Sequence, residues 1–336
     1  MIKSFPYKLG VIIPTGTILY IGLVLVVLFP QYTQTKILPA WLGALAWLLL
    51  IYWLACTTDP GYVNPEFTDE WEVKCKVCDV IKPERAHHCK ECNRCVLRMD
   101  HHCPWTNNCV GNNNFPHFMR FLGWVIIVNG VALAGYFVYW VRVLDDWGMP
   151  GYLMPRYKLV LGLLGLIGSL LVEITITLLF LRSILNIVSG QTQIESWEIE
   201  RANTIARRID PSNLPEFPFD VTLGLNWSVA MGNFFLSWWP WAGPGTDGHD
   251  FPKLFYTSVR WPPATPENVH DWYTVKRWRT SEGDNITDFG VDAEIDDVEV
   301  EVPPGAAEDA ATEQIEDKPK ASPAKKRGGR KKKVSS

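Results

Sequence analysis

The sequence predicts an all-α membrane protein in which four transmembrane helices are interrupted, between the second and the third, by a loop dense in cysteine and histidine. Three observations lead there. Four stretches, Leu9–Phe29, Leu38–Cys56, Phe121–Val141 and Leu159–Leu181, are long, apolar and nearly free of charge. Seven of the eight cysteines lie between Cys75 and Cys109. Lysine and arginine gather on one side of the spans so assigned. Averages over the 336 residues conceal this, because a mean hydropathy of +0.00 combines an apolar front half with a polar tail. The net charge of -4 misleads in the same way, since residues 281–317 carry 14 Asp/Glu and residues 318–333 carry 9 Lys/Arg. A secreted disulfide framework is excluded by the clustering of the cysteines.

Each apolar stretch suffices to cross a hydrocarbon layer of ~30 Å as a helix of about 20 residues, and only helices satisfy their own backbone there. The first run is too long for a signal-peptide core, and Phe29-Pro30-Gln31-Tyr32 offers no small-residue cleavage site, so a retained signal anchor is expected. Orientation follows from the positive residues near the span ends. Between spans two and three stand Lys74, Lys76, Lys82, Arg85, Lys90, Arg94 and Arg98. Lys3 and Lys8 precede span one, and Arg182, Arg201, Arg207 and Arg208 follow span four. The opposite links hold only Lys36 and, between spans three and four, Arg142, Arg156 and Lys158. Both termini and the cysteine-rich loop are therefore expected in the cytosol, where disulfides are disfavoured and clustered cysteines more often bind metal. The expected division is residues 1–56 for helices 1 and 2, 57–117 for the cytosolic loop, and 118–187 for helices 3 and 4. Residues 188–280 form a membrane-associated C-terminal region and 281–336 a tail.

The loop has too few aliphatic residues to bury a core of its own, and its ligands supply the missing order. Cys75, Cys78, His88 and Cys95 are repeated 14 residues later as Cys89, Cys92, His102 and Cys109, both in the pattern C-x2-C-x9-H-x6-C. Three thiolates and one imidazole suit tetrahedral structural Zn²⁺, so two zinc ions are expected to brace the loop and fold it. A ligase-type RING is disfavoured because Val110-Gly111-Asn112 follows Cys109, where a further cysteine pair belongs. One cysteine is left over. His-His-Cys occurs at 87–89 and at 101–103, but after Cys103 the partner position holds Thr106. Cys103 thus stands outside both ligand sets, beside His101 and Asp100. The imidazole can take the thiol proton, and the carboxylate can orient the resulting imidazolium. The alternative, a buried inert thiol, fits poorly with Pro104 and the polar surroundings. Covalent thiol catalysis on a lipid or thioester substrate at a membrane surface is the reading the residues carry unaided; a zinc-braced membrane adaptor without catalysis is the alternative.

Asp100-His101-His102-Cys103, set within Cys75–Cys78, Lys82-Pro83-Glu84-Arg85-Ala86-His87-His88-Cys89 and Asn107-Asn108-Cys109-Val110-Gly111, resembles the DHHC cysteine-rich domain of protein S-acyltransferases. Asp59-Pro60-Gly61 resembles the family's DPG motif. Asn226-Trp227 to Gly232, led by Phe217-Pro218-Phe219-Asp220, resembles its C-terminal segment. Thr192-Gln193-Ile194-Glu195 keeps only part of its TTxE motif, because Gln193 replaces the second threonine. The short N-terminus and the Trp/Pro-rich C-terminal region resemble the fungal endoplasmic-reticulum branch. The resemblance implies a protein S-palmitoyltransferase of the endoplasmic-reticulum membrane. Cys103 would be acylated from palmitoyl-CoA and pass the chain to cysteines of membrane proteins, chitin synthase among the substrates that branch suggests. His101 would act as base, Asp100 would polarise it, and the helices would shelter the chain.

Other features are read more blandly. Glu173 and Asn129, within spans, are expected to be hydrogen-bonded packing residues rather than functional groups, and Cys56 an inert thiol. Residues 227–278 hold seven Trp, and the run Phe234-Phe235-Leu236 with Trp238, Trp239 and Trp241 is too short to span and suits the headgroup region. The acidic then basic tail is expected to be disordered, its basic end drawn to anionic lipid or to the preceding acidic run rather than to nucleic acid. Asn226 and Asn285 fit glycosylation sequons that a cytosolic C-terminus leaves unmodified.

Overall fold

A computed structural model describes residues 7–30, 37–67, 74–147, 149, 154–209 and 217–254. The tail, Asn285 and the Trp residues after 254 lie outside the described residues, as does Lys36. Four helices are long and apolar enough to cross a membrane: α1 (Tyr7–Leu28), α2 (Ile37–Thr57), α3 (Phe115–Asp146) and α4 (Arg156–Val188). The cysteine-rich region between α2 and α3 forms two antiparallel hairpins, β1 (His87–Cys89) with β2 (Arg94–Val96), and β3 (His101–Cys103) with β4 (Asn108–Val110). After α4 come α5 (Gln193–Ile209) and α6 (Leu223–Met231).

The last two spans outrun their apolar windows. α3 has 32 residues, about 48 Å at the α-helical rise, against a hydrocarbon core of ~30 Å. Once nucleated, a helix continues through polar positions wherever packing or capping holds it. Here Phe115 to Phe121 are covered by the cysteine-rich and C-terminal segments. Asn114, the N-cap residue of α3, does not cap with its side chain. Its Oδ1 accepts from the Gly111 N–H at 2.9 Å and its Nδ2 donates to the Cys109 carbonyl at 2.8 Å, tying the helix start to the second hairpin.

α3 and α4 close on each other through small residues. A Cβ on Gly165 would lie 2.2 Å from the Tyr136 ring, and one on Gly162 would lie 2.5 Å from Tyr139. Tyr136, fully buried, reaches past Gly165 to donate its hydroxyl to the Ile21 carbonyl of α1 at 2.7 Å. Asn129 donates to the Ser169 carbonyl at 2.9 Å and to Glu173 Oε2 at 2.7 Å, so the two polar side chains within the spans partner each other across α3 and α4. The Trp41 indole N–H donates to the Gly22 carbonyl at 2.9 Å, joining α2 to α1.

The turn after α2 aims the chain into the hairpins. Asp59 Oδ1 accepts the N–H groups of Gly61 and Tyr62, and Gly61 takes a φ of +97° that a side chain would resist. Its carbonyl then accepts from the Leu97 N–H at 2.7 Å.

Candidate active site and metal centres

The 14-residue sequence repeat is a repeat of structure. In the first hairpin His88 pairs with Cys95 and in the second His102 pairs with Cys109, so each hairpin presents one imidazole and one thiol side by side. The C-x2-C pair ahead of each hairpin brings two more thiols. Cys75, Cys78, His88 and Cys95 form one group and Cys89, Cys92, His102 and Cys109 the other, the donor atoms of each all lying within 4.8 Å of one another. In the first, His88 Nδ1 stands 3.5, 3.2 and 3.9 Å from the sulfurs of Cys75, Cys78 and Cys95. In the second, His102 Nδ1 lies 3.6, 3.5 and 3.6 Å from Cys89, Cys92 and Cys109. Bonds of about 2.3 Å to sulfur and 2.1 Å to nitrogen require donor separations near 3.6 Å in a tetrahedron, so both sets fit zinc. In each C-x2-C turn the second cysteine's N–H also points at the first sulfur, at 3.4 Å.

Cys103 is outside both groups. It opens a third turn of the same backbone form. Asp79, Asn93 and Asn107, each immediately after the second position of a turn and 14 residues apart, have φ of 55°, 52° and 50°. Thr106 fills the position of the missing thiol, its N–H and hydroxyl both bonding to the Cys103 carbonyl at 3.3 Å.

His101 Nδ1 is 2.8 Å from Asp100 Oδ2, and its ring meets Phe118 of α3 edge-on at 5.2 Å. Burial pushes the imidazolium pKa down, but the hydrogen bonds to Asp100 and Cys103 outweigh it and bring it up to about 10. Burial alone would push the Cys103 thiol up; the bond to His101 and its positive charge bring it below the usual thiol range. Asp100 is held below the ordinary carboxylate range against burial by His101, by the Gln193 N–H and by the Arg98 charge. Each group thus favours the charged form of the other, thiolate beside imidazolium.

The sequence did not reveal what holds Asp100. Thr192 and Glu195 form a capping box that starts α5: Thr192 Oγ1 accepts from the Glu195 N–H at 3.2 Å, and Glu195 Oε2 accepts from the Thr192 N–H at 2.8 Å. The next N–H, that of Gln193, donates to Asp100 Oδ1 at 2.8 Å. Because the backbone makes this contact, Gln193 supplies it as well as a threonine does. Glu195 also receives two bonds of 2.6 Å from the Arg85 guanidinium, which stacks between the rings of Phe219 and Phe251. Burial opposes ionisation of Glu195, but Arg85 holds its carboxyl below the usual range.

The C-terminal motif residues complete this clamp. Asn226 donates to the Val188 carbonyl at 2.8 Å and to Asp220 at 2.9 Å, so its amide is buried and engaged. Gly232 has φ +76°, and a Cβ there would sit 2.2 Å from the Gly243 carbonyl. Lys253 pairs with Glu84 at 2.9 Å.

Cys103 is 5% exposed and belongs to the apolar cluster of α2 and α3 that includes Leu45, Leu48, Val125 and Val128. Those same residues, with Ile18 and Asn129, line a small, half-open apolar cleft between the four helices. The nucleophile candidate therefore stands where a metal-braced polar domain meets an apolar bundle.

The sequence profile of DHHC palmitoyltransferases matches residues 69–200. The chain is 33% identical to Palmitoyltransferase PFA4 of Yarrowia lipolytica, over 84% of this chain and 96% of that protein. It is 35% identical to Palmitoyltransferase PFA4 of Saccharomyces cerevisiae, over 73% of this chain and 75% of that one. To Palmitoyltransferase pfa4 of Emericella nidulans it is 39% identical, over 66% and 58%. The chain belongs to the DHHC palmitoyltransferase family, and its activity is protein S-palmitoylation.

Proposed function

We propose that Cys103 carries the acyl group in a two-step transfer from palmitoyl-CoA to cysteines of membrane proteins. The observation behind this is that Cys103 alone in the cysteine-rich region stands outside both four-donor groups, two residues from an Asp100-held His101 whose charge draws its thiol pKa down. In the first step the Cys103 thiolate attacks the thioester carbonyl of palmitoyl-CoA. The tetrahedral adduct collapses with loss of CoA thiolate, which takes the proton from the His101 imidazolium. In the second step neutral His101 removes the proton from the acceptor thiol, whose sulfur attacks the Cys103 thioester and releases the Cys103 thiolate. Asp100 keeps one tautomer and one ring orientation through both steps.

The apolar cleft supports the choice of substrate. A C16 chain has about 15 carbons beyond its carbonyl, and at ~0.8 kcal/mol per methylene its exposure to water would cost about 12 kcal/mol. Cys103 faces the cluster that lines the cleft, so the chain can enter the bundle as the thioester forms. Bound zinc would supply structure, fixing the hairpins that present His101 and Cys103. The positive residues favour a cytosolic active site and cytosolic termini. The resemblance of the N-terminus and the Trp/Pro-rich C-terminal region to the fungal endoplasmic-reticulum branch supports that membrane as the location, with chitin synthase among the substrates. Cys103→Ser tests the assignment: it abolishes hydroxylamine-sensitive labelling by a palmitoyl analogue and leaves two zinc ions per chain. Full labelling of that variant would reject this thiol as acceptor.

A further inference from the structure

We infer that residues 234–241 form an aromatic wedge inserted into the bilayer leaflet on the cysteine-rich side, a lipid contact separate from the four spans. The segment folds as successive turns: Leu236 N–H donates to the Asn233 carbonyl, Trp239 N–H to Leu236, and Ala242 N–H to Trp239. Its inner side is clamped. Arg120, on α3 and fully buried, donates Nε to the Ser237 carbonyl at 2.6 Å, Nη2 to Ala242 at 2.6 Å and Nη1 to Pro240 at 3.3 Å. Trp238 lies over Gly123, where a Cβ would meet its ring at 2.6 Å, and leans on Phe180 of α4 at 6.4 Å between centroids.

These anchors fix the height of the segment. Gly123 lies within the first turn of the apolar run of α3, and Phe180 lies in the last turn of that of α4. Both mark the membrane boundary on the side of the cysteine-rich region. The burial of α3 gives the same level independently. No residue from Phe115 to Ile126 is exposed, although the helix is entering the membrane there; Ile127, about 18 Å along the helix from Phe115, is the first. The wedge occupies the flank where lipid would otherwise touch the helix.

Its outer side is almost wholly apolar. Phe235 is 90% exposed, and Phe234, Leu236, Trp239 and Trp241 are 57–66% exposed. Leu178, Leu181 and Leu185 of α4, the helix that Trp238 meets at Phe180, are also exposed. A patch of this kind in water would drive association, and Phe and Trp at this depth match the preference of aromatic rings for the interface. The occupant is the phospholipid itself, at the junction of headgroups and acyl chains. Held through Arg120, two residues from the Phe118 that touches His101, the wedge sets the height of the reaction centre relative to the lipid.

The test places p-benzoylphenylalanine at position 235 in the full chain, reconstituted in phosphatidylcholine nanodiscs, with photoadducts read by mass spectrometry. Position 53 on α2 (Trp53, 58% exposed) serves as the lipid-facing reference and position 77 (Val77, 59% exposed) as the reference in the cysteine-rich region. The expected result is phospholipid adducts at position 235 in the yield found at position 53, and none at position 77. Absence of lipid adducts at 235, or adducts only to protein, overturns the inference.

Discussion

Replacing Gln193 by proline removes one hydrogen atom from the active site and little else. The Gln193 N–H donates to Asp100 Oδ1 at 2.8 Å, and Gln193 is the first residue of α5 after the capping Thr192. Proline is favoured at that helical position, where its fixed φ fits and its missing N–H breaks no helical bond. The residue before it, already a cap with extended backbone preference, accepts the restriction proline imposes. What disappears is a bond to a buried carboxylate, together with the Gln193 side-chain contacts to Arg182 and Asn186. Gln193→Ala loses those side-chain contacts and keeps the N–H, which makes it the control. A hydrogen bond to a charged group contributes about 1.5–3 kcal/mol, and at 1.36 kcal/mol per tenfold in rate its loss corresponds to a fall of about 10- to 150-fold. The assay is the single-turnover rate of Cys103 acylation at saturating palmitoyl-CoA, with bound zinc measured in parallel. Gln193→Pro is expected to fall in that range with two zinc ions retained, and Gln193→Ala to stay near the parent rate. Equal rates for the two variants would refute the claim that this backbone donor orients Asp100 and, through it, His101.

Further outcomes follow from the same contacts. Cys78→Ser or His88→Ala removes one of four donors, and zinc measured by mass spectrometry should drop below two per chain with loss of palmitoylation; normal zinc content would count against the ligand set. Gly10→Ala should slow acylation with zinc intact, because a Cβ there would sit 2.0 Å from the Pro104 carbonyl beside Cys103; Gly16→Ala, with open space around it, should have no effect. Gly165→Ala forces apart α4 and the buried Tyr136 ring and should lower the thermal unfolding midpoint in detergent by an overpacking cost of about 1–3 kcal/mol, zinc content unchanged.

The contrast between Cys103 and Asp100 explains how much of the site could be read without coordinates. Metal ligands and thiol nucleophiles are defined by side-chain chemistry, and their spacing survives in the chain, so the two donor groups and the unclaimed cysteine were legible. The partner of Asp100 was not, because a backbone N–H belongs to every residue except proline and leaves no mark in the sequence. For the same reason Gln193, in the place of the second threonine, keeps the contact. Arg120 posed the opposite difficulty. A lone arginine just before an apolar run suggests a residue at the water boundary, whereas it is buried against three carbonyls more than 110 residues away. No local pattern encodes such a pairing. The helical turns of α3 beyond its span were not legible for a related reason: hydropathy reports what lipid requires, while Asn114 and the cysteine-rich region decide where α3 begins.

The three equivalent turns show how one repeat yields both scaffold and chemistry. Each begins with a cysteine and ends with a residue at positive φ, Asp79, Asn93 or Asn107. In the first two, the second cysteine and the following hairpin complete a four-donor group. In the third, Thr106 replaces that cysteine and no further hairpin follows among the described residues. The backbone still folds into the same turn, so Cys103 has the exposure to neighbouring donors that suits a metal-bound thiolate but has His101 as the nearest positive charge. A turn shaped to stabilise sulfur as an anion, with the metal's partners removed, leaves a reactive thiolate in place of a ligand. The requirement that the same turn stay rigid then falls on the second complete group, whose donors flank it, Cys89, Cys92 and His102 before it and Cys109 after it. That is why loss of zinc and loss of acyl transfer should travel together, while loss of Cys103 should leave the metal untouched.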